Sequence, residues 1–161
     1  MVYIQKRLQT ELKKFIIPHL LYSDHEIYQD NSYNCKYAIN LIIYLKNNDI
    51  LLFKLGQYYP FKPPELLVNK KNYRDFFLKL DKDVISFLEK ECSLKCICCD
   101  SVLCENNWSP NLNIVSIINE YIKRKNTVKK YYLKGLIQLI INKNNIHEYG
   151  ITRHITDFIL I

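Results

Sequence analysis

Tyr59-Pro60-Phe61-Lys62-Pro63-Pro64 is the most constrained segment of this 161-residue chain, because it holds three of the five prolines. Each proline fixes φ and bars the residue before it from the helical region of backbone space. The segment therefore cannot belong to a helix or to a central strand. We expect an extended, rigid crossing between regular elements, with Tyr58 and Tyr59 packed beneath it.

The residues before this segment predict one helix followed by strands. Residues 2–16 place apolar side chains at i, i+4 spacing, which is typical of an amphipathic helix, and Pro18 ends it. A weak strand signal covers residues 25–33. Two stronger signals, rich in Ile, Leu, Tyr and Phe, cover residues 36–45 and 49–55. The Asn and Asp residues between the last two predict a turn, and so an antiparallel hairpin.

The residues after the proline segment predict a short strand and then mainly helices. The strand should cover residues 65–69, and a single helix should cover residues 73–91. The cysteine-rich residues 92–104 should form a loop. From Ile114 a helical pattern runs to residue 143, and Gly135 is a candidate break. This order predicts an α+β domain with an N-terminal helix, an antiparallel meander of three to four strands, and then helices.

Composition indicates one soluble globular domain. Apolar residues make up 48% and charged residues 24% of the chain, and no apolar run reaches the roughly 18 residues that a membrane span needs. The N-terminus has no apolar region of the kind that signal peptides carry. We therefore expect a cytoplasmic or nuclear protein with no membrane partner. The net charge of +7 comes from scattered lysines, which favours a solvated basic surface over a nucleic-acid partner.

Five of the six cysteines lie between Cys92 and Cys104. Disulfides that stabilise a small secreted domain close long loops, and cysteines crowded in one loop cannot do so. The cluster therefore predicts reduced thiols that serve a local purpose.

Three short motifs, taken in order, resemble those of ubiquitin-conjugating enzymes. Tyr59–Pro64 is similar to the family's Tyr-Pro-Phe-x-Pro-Pro signature, and Ile97-Cys98-Cys99-Asp100 resembles the Ile-Cys-Leu-Asp around its catalytic cysteine. Trp108-Ser109-Pro110 is similar to the Trp-Ser-Pro that precedes a helix in the family. The resemblance covers residues 2–122, and the long interval before the cysteines and the composition rich in Lys, Asn, Ile and Tyr resemble divergent forms encoded by large DNA viruses or by parasites. Residues 1–122 are then the conjugating-enzyme-like domain, and residues 123–161 a helical extension packed on it.

The resemblance implies transfer of a protein modifier through a cysteine thioester. Cys98 would accept ubiquitin, or a ubiquitin-like modifier, from an activating enzyme and pass it to a lysine amine. The basic face of the first helix, with Lys6 and Lys13, would bind the activating enzyme. Phe61 would belong to the surface that a ligase binds. This chemistry needs no metal or organic cofactor.

The sequence departs from the family around the candidate nucleophile. Family members carry His-Pro-Asn shortly before the catalytic cysteine, and its Asn stabilises the oxyanion. Here no histidine lies between Pro64 and Cys98. Losing one oxyanion donor typically costs about 100- to 1000-fold in rate, and Asn106 or Asn107 are the candidate substitutes. Cys98 also lies farther from Trp108 than the family spacing, so the nucleophile is either Cys98 or Cys99.

The cysteine cluster has a second interpretation as a zinc site. It contains one Cys-x2-Cys unit, Cys96 to Cys99, with single thiols on either side. Cys96, Cys98, Cys99 and Cys104 could together supply four thiolates to one zinc ion. The chain would then be a catalytically inactive binding module that keeps the fold, with the cysteines structural or zinc-bound. A third interpretation treats the cysteines as small, partly buried apolar side chains.

Overall fold

The computed structural model describes residues 2–13, 22–29 and 37–143, which form one helix, five strands and three further helices. The helices are α1 (Val2–Glu11), α2 (Tyr73–Leu78), α3 (Lys82–Cys92) and α4 (Ile114–Lys143), and the strands are β1 (Tyr22–Gln29), β2 (Tyr37–Leu45), β3 (Ile50–Gly56), β4 (Glu65–Val68) and β5 (Lys71–Asn72). The predicted α+β class, with an N-terminal helix before the sheet and helices after it, is confirmed.

The five strands form one antiparallel sheet in the order β1-β2-β3-β4-β5, so each strand pairs with the next along the chain. The predicted meander is therefore present. The predicted count of three to four strands missed β5, which has only two residues and no apolar pattern. β1 begins at Tyr22, earlier than predicted, and the predicted part of that strand at residues 30–33 lies outside the described residues.

The core lies between one face of the sheet and the helices. Leu51, Phe53 and Leu55 of β3 are fully buried, whereas Leu52 and Lys54 between them are only partly buried. This alternation is typical of a sheet with helices on one face. The helices contribute the following buried side chains to the same cluster: Ile4, Leu8, Leu88, Ile114, Ile117 and Tyr121, and Leu12 joins it from just beyond the end of α1. None of the helices in the described ranges is long and apolar enough to cross a membrane.

The proline segment forms tight turns, so the prediction of an extended crossing was wrong. The amides of Phe61 and Lys62 both donate to the Tyr58 carbonyl oxygen, at 2.7 and 3.1 Å, and the Tyr59–Pro60 peptide bond is cis. Tyr59 is buried as predicted, but Tyr58 is 58% exposed. The prolines exclude helix and central strand, as expected, yet they are also the residues that tight turns favour. We call residues 57–62 the proline turn.

The predicted helix over residues 73–91 is two helices, because the chain turns at Lys79–Asp81. The Lys79 amide donates to the Asp75 carbonyl oxygen at 3.2 Å, and the Leu80 amide donates to the Phe77 carbonyl oxygen at 3.3 Å, which closes α2. Asp81 then begins α3 with an extended backbone, ψ 149°. The turn rotates the helical face, so Phe77 is buried while Phe76 is only partly buried.

The last helix, α4, is continuous over 30 residues and has no break at Gly135. Gly135 has nothing within 4 Å of the place where a Cβ would lie, so no close contact requires a glycine there. The predicted domain boundary between residues 122 and 123 falls inside this helix. The part of the predicted extension at residues 144–161 lies outside the described residues.

Glu11 is a buried carboxylate that joins three parts of the chain. It accepts hydrogen bonds from the Tyr59 hydroxyl at 2.8 and 2.9 Å, from the Ile114 amide at 3.0 Å, and from Arg7 Nε at 2.5 Å. Burial, followed by the charge of Glu11, raises the pKa of Tyr59. The end of α1, the proline turn and the start of α4 are therefore fixed to one another by a single side chain. Residues 14–16 of the predicted first helix lie outside the described residues.

Candidate functional site

The two outer motifs of the sequence lie against each other in the structure. The indole Nε1 of Trp108 donates to the Pro60 carbonyl oxygen at 2.7 Å, and the ring centroids of Trp108 and Tyr59 lie 6.1 Å apart. Trp108 is buried, so it packs in the core beside Tyr59. Residues 94–107, which we call the cysteine loop, precede this tryptophan and follow α3, whose C-cap Ser93 adopts the left-handed conformation.

Asp100 holds the start of the cysteine loop in a single tight turn. Its carboxylate accepts hydrogen bonds from the amides of Lys95 and Cys96, at 2.5 and 3.1 Å. The Asp100 amide in turn donates to the Cys96 carbonyl oxygen at 3.0 Å. The hydrogen bonds from the Cys96 and Lys95 amides lower the pKa of Asp100, so it is a carboxylate at neutral pH. The backbone that carries the cysteines is therefore fixed by local contacts.

Three cysteine sulfurs meet on this turn. The sulfurs of Cys96 and Cys98 lie 2.9 Å apart, and those of Cys98 and Cys99 lie 3.6 Å apart. All three sulfurs lie within 4.8 Å of one another. Cys99 is exposed, and the other two are partly buried. We call Cys96, Cys98 and Cys99 the sulfur cluster.

The pKa values of two thiols in the sulfur cluster are shifted in opposite directions. Hydrogen bonds to the Cys96 sulfur, first from Cys98 and then from the backbone amides of Cys99 and Cys98, lower the pKa of Cys96 to about 7. Hydrogen bonding with Cys98 and Cys96, together with their charge, raises the pKa of Cys99 to about 11. Donors favour the charged form of the group that accepts from them, and nearby negative charge disfavours it. At neutral pH the cluster therefore holds negative charge on Cys96 before Cys99.

The other two cysteines of the stretch are separate from this cluster. Cys104, the fourth residue of the predicted zinc set, is not among the thiols that lie within 4.8 Å of one another. Cys92 is buried in the core, with its sulfur 3.6 Å from Thr127 Oγ1. All five cysteines of the described ranges are free thiols. Cys92 thus matches the interpretation as a small apolar side chain, and Cys96, Cys98 and Cys99 do not.

The sulfur cluster borders an open cavity of about 500 Å³. It is lined by Cys98, Cys99 and Cys104 of the cysteine loop, together with Leu66 of β4 and Tyr73 of α2. Pockets of this size hold small ligands or an extended peptide segment. The cavity therefore brings two of the sulfurs of the cluster within reach of a bound molecule.

The two candidate oxyanion donors have different roles. The Asn107 side-chain amide donates to the carbonyl oxygens of Cys99 and Ser101, at 2.6 and 3.0 Å. Asn107 therefore holds the cysteine loop in place. Asn106 is exposed and lines the cavity together with Cys98. Of the two, Asn106 is the residue in a position to meet a reacting group.

Two charged residues of α4, the buried Arg124 and the partly buried Glu120, support the site and were missed by the sequence analysis. Arg124 is 2% exposed, donates to the Ile97 carbonyl oxygen at 2.9 Å and lies 3.2 Å from a Glu120 carboxylate oxygen. Glu120 accepts from the Ser101 hydroxyl at 2.8 Å and from the Val102 amide at 2.7 Å. The sequence could have indicated both residues, because Glu120 and Arg124 are an acidic and a basic residue four positions apart on a helix face that is otherwise apolar.

The predicted partner-binding residues are at the surface. Lys6 on α1 and Lys13, just beyond its end, are both exposed. Phe61, in the proline turn, is 71% exposed. Their proposed binding roles stay predictions.

Comparison with family models, with curated proteins and with solved structures found no match to the chain.

Proposed function

We propose that this chain is a divergent ubiquitin-conjugating-type protein. Cys98 accepts ubiquitin, or a ubiquitin-like modifier, as a thioester from an activating enzyme and passes it to a lysine amine. The observation that carries the proposal is the position of Cys98, which is partly buried, held on a fixed turn and open to a cavity of about 500 Å³.

The order of elements supports the proposal. An N-terminal helix, an antiparallel meander, the proline turn, the cysteine loop and a long helix follow one another, as the resemblance of the three motifs implies. The motifs at Tyr59–Pro64 and Trp108–Pro110 are in contact, and Arg7 on α1 donates to the Pro110 carbonyl oxygen at 3.0 Å. Residues far apart in the sequence thus build one support for the cysteine loop.

The chemistry consists of two acyl transfers. In the first, the Cys98 sulfur attacks the carbonyl carbon of the incoming thioester, and the thiol of the activating enzyme leaves with a proton. Cys96, whose sulfur lies 2.9 Å away, is within reach of the proton that Cys98 gives up. In the second, a lysine amine attacks the new thioester, an amide forms, and the Cys98 thiol is regenerated. Asn106 is the proposed donor to the oxyanion in both steps.

Exposed residues near α1 and in the proline turn are the proposed docking surfaces for the activating enzyme and for a ligase. Lys6 and Lys13 present positive charge to an acidic surface of the activating enzyme. Phe61 presents an aromatic ring to a ligase, and buried aromatic rings commonly anchor such interfaces.

Incubation with an activating enzyme, a modifier and ATP tests the proposal. The chain should form an adduct that a thiol reductant removes, and Cys98→Ser should form an adduct that resists the reductant, because an oxygen ester replaces the thioester. Cys104→Ser is the matched control, since Cys104 lines the same cavity but lies outside the sulfur cluster. Cys104→Ser should form the reducible adduct to the same extent as the unchanged chain.

Charging of Cys99 rather than Cys98 would appear as a reducible adduct that Cys99→Ser abolishes and Cys98→Ser leaves unchanged. That result would reassign the nucleophile. If no adduct forms with any of several activating enzymes and modifiers, the enzymatic proposal fails, and the alternative of a catalytically inactive binding module takes its place.

A further inference from the structure

The sulfur cluster has the dimensions of a metal site. A thiolate lies about 2.3 Å from zinc, so two thiolates on one tetrahedral ion lie about 3.8 Å apart. The Cys98–Cys99 sulfur distance of 3.6 Å is close to this value, the Cys96–Cys98 distance is 2.9 Å, and all three sulfurs lie within 4.8 Å of one another. Side-chain rotations that move the Cys96 and Cys98 sulfurs about 0.9 Å farther apart would bring that pair to the zinc spacing.

The backbone around the cluster is already arranged for bound thiolates. Asp100 fixes the amide of Cys96, and Asn107 fixes the carbonyl of Cys99. Such outer contacts orient the ligands of protein metal sites, and they are present here without any rearrangement.

We propose that Cys96, Cys98 and Cys99 form a three-thiolate site for a thiophilic d10 cation, Zn²⁺ or Cu⁺. Thiolate ligands select these ions over magnesium, calcium or manganese. Three sulfurs complete a trigonal shell around Cu⁺, and they leave one position open around tetrahedral Zn²⁺. This site differs from the four-thiolate set predicted from the sequence, because Cys104 is not part of the cluster.

Cobalt is the probe of choice for this site, because thiolate-to-cobalt charge transfer reports the number of bound sulfurs. The reduced, metal-free chain should bind one Co²⁺, with a charge-transfer intensity that corresponds to three thiolates. Zn²⁺ should displace the cobalt and bleach the spectrum. A separate anaerobic titration with Cu⁺ under a competing chelator should saturate at one ion, and its affinity relative to Zn²⁺ identifies the preferred metal.

Single substitutions identify the ligands. Cys96→Ser, Cys98→Ser and Cys99→Ser should each weaken metal binding by about 100-fold or more, because losing even an outer contact costs about 10- to 100-fold. Cys104→Ser is the matched control and should bind like the unchanged chain. Circular dichroism of each variant checks that the fold is intact, which we expect because these three side chains are not part of the buried core.

A charge-transfer intensity below that of three thiolates, or a loss of affinity in Cys104→Ser equal to that in Cys98→Ser, would overturn the proposal. A Cys96–Cys98 disulfide that persists under reducing conditions, and so prevents binding, would also overturn it. The metal and the modifier use the same Cys98 sulfur, so the metal-bound and thioester forms exclude each other. The assay contains no modifier and no activating enzyme, so its outcome is read separately from that of the charging assay.

Discussion

Cys98 lies between Cys96 and Cys99, and the cysteine loop lowers the pKa of the first and raises that of the second. Cys96, 2.9 Å away, accepts hydrogen bonds that lower its pKa to about 7, and the pKa of Cys99 is raised to about 11. The reason is geometric, because one turn directs two amides and a thiol at the Cys96 sulfur. A thiolate is the reactive form of cysteine, so Cys96 should react with a small alkylating reagent before Cys99 at neutral pH.

Alkylation of the metal-free chain by iodoacetamide should follow this order. Cys96 should react with a pH midpoint at about 7, since its pKa is lowered and the thiolate is present above that pH. Alkylation of Cys99 should stay slow until the pH approaches 11, because the pKa of this thiol is raised. Tandem mass spectrometry across a pH series distinguishes the two positions.

Cys98→Ala is the matched variant for this measurement, because it removes the thiol that hydrogen-bonds to Cys96 and leaves the backbone amides in place. The pH midpoint of Cys96 alkylation should move upward in this variant. Equal rates for Cys96 and Cys99 across the series, or an unchanged midpoint in the variant, would contradict the described electrostatics.

The sequence identified the right loop but not all of the residues that build the site. The motif at Ile97–Asp100 places three cysteines on one short turn, and local spacing alone suffices to bring their sulfurs together. Glu11 and Arg124 could not be identified in the same way, because their partners lie far along the chain. Tyr59 and Ile114 reach Glu11 across 48 and 103 residues, and no local pattern encodes those contacts.

At the scale of elements, Glu11 connects α1 to the proline turn and α4. Glu11→Ala should lower the free energy of unfolding by about 3–5 kcal/mol, because it leaves Arg7, the Tyr59 hydroxyl and the Ile114 amide without their acceptor. Glu11→Gln is the control, since its amide oxygen still accepts but carries no charge, and it should cost about 1–3 kcal/mol. Urea unfolding monitored by circular dichroism measures both.

A loss in Glu11→Ala no larger than about 1 kcal/mol, the value of an ordinary exposed contact, would show that the three elements are held by packing alone.

The strands were predicted more accurately than the helix ends. β2 and β3 are short apolar runs rich in Ile, Leu, Tyr and Phe, and the turn residues between them mark where one strand ends and the next begins. The break between α2 and α3 was missed because Phe76, Leu80, Val84 and Leu88 keep a helical spacing straight through it. The proline turn was mistaken for an extended segment, since prolines exclude helix but do not choose between turn and extension.

At the scale of the whole molecule, α4 belongs to the domain well beyond residue 122. Arg124 supports the cysteine loop through Ile97, and Lys125 pairs with the buried carboxylate of Asp49, which also accepts from the Tyr121 hydroxyl at 2.6 Å. Lys130 pairs with Glu91 of α3 at 2.9 Å. The contacts of α4 with the rest of the domain therefore continue past residue 122, as far as Lys130.

A chain that ends at Ile122 should therefore fail to unfold cooperatively, because it lacks Arg124, Lys125 and Lys130. A chain that ends at Lys143 keeps all three and should unfold in one transition. Thermal unfolding by calorimetry compares the two. A cooperative transition in the shorter chain, at the same temperature as in the longer one, would restore the predicted boundary at residue 122.

The most direct test of the central claim is to map the modifier on the chain after charging. The unchanged chain is incubated with an activating enzyme, a modifier and ATP, quenched without reductant, digested and analysed by mass spectrometry. We expect the remnant of the modifier as a thioester on Cys98, with Cys104 unmodified in the same peptide. A remnant found only on lysines, or on a cysteine outside the sulfur cluster, would contradict the assignment of Cys98 as the acyl carrier.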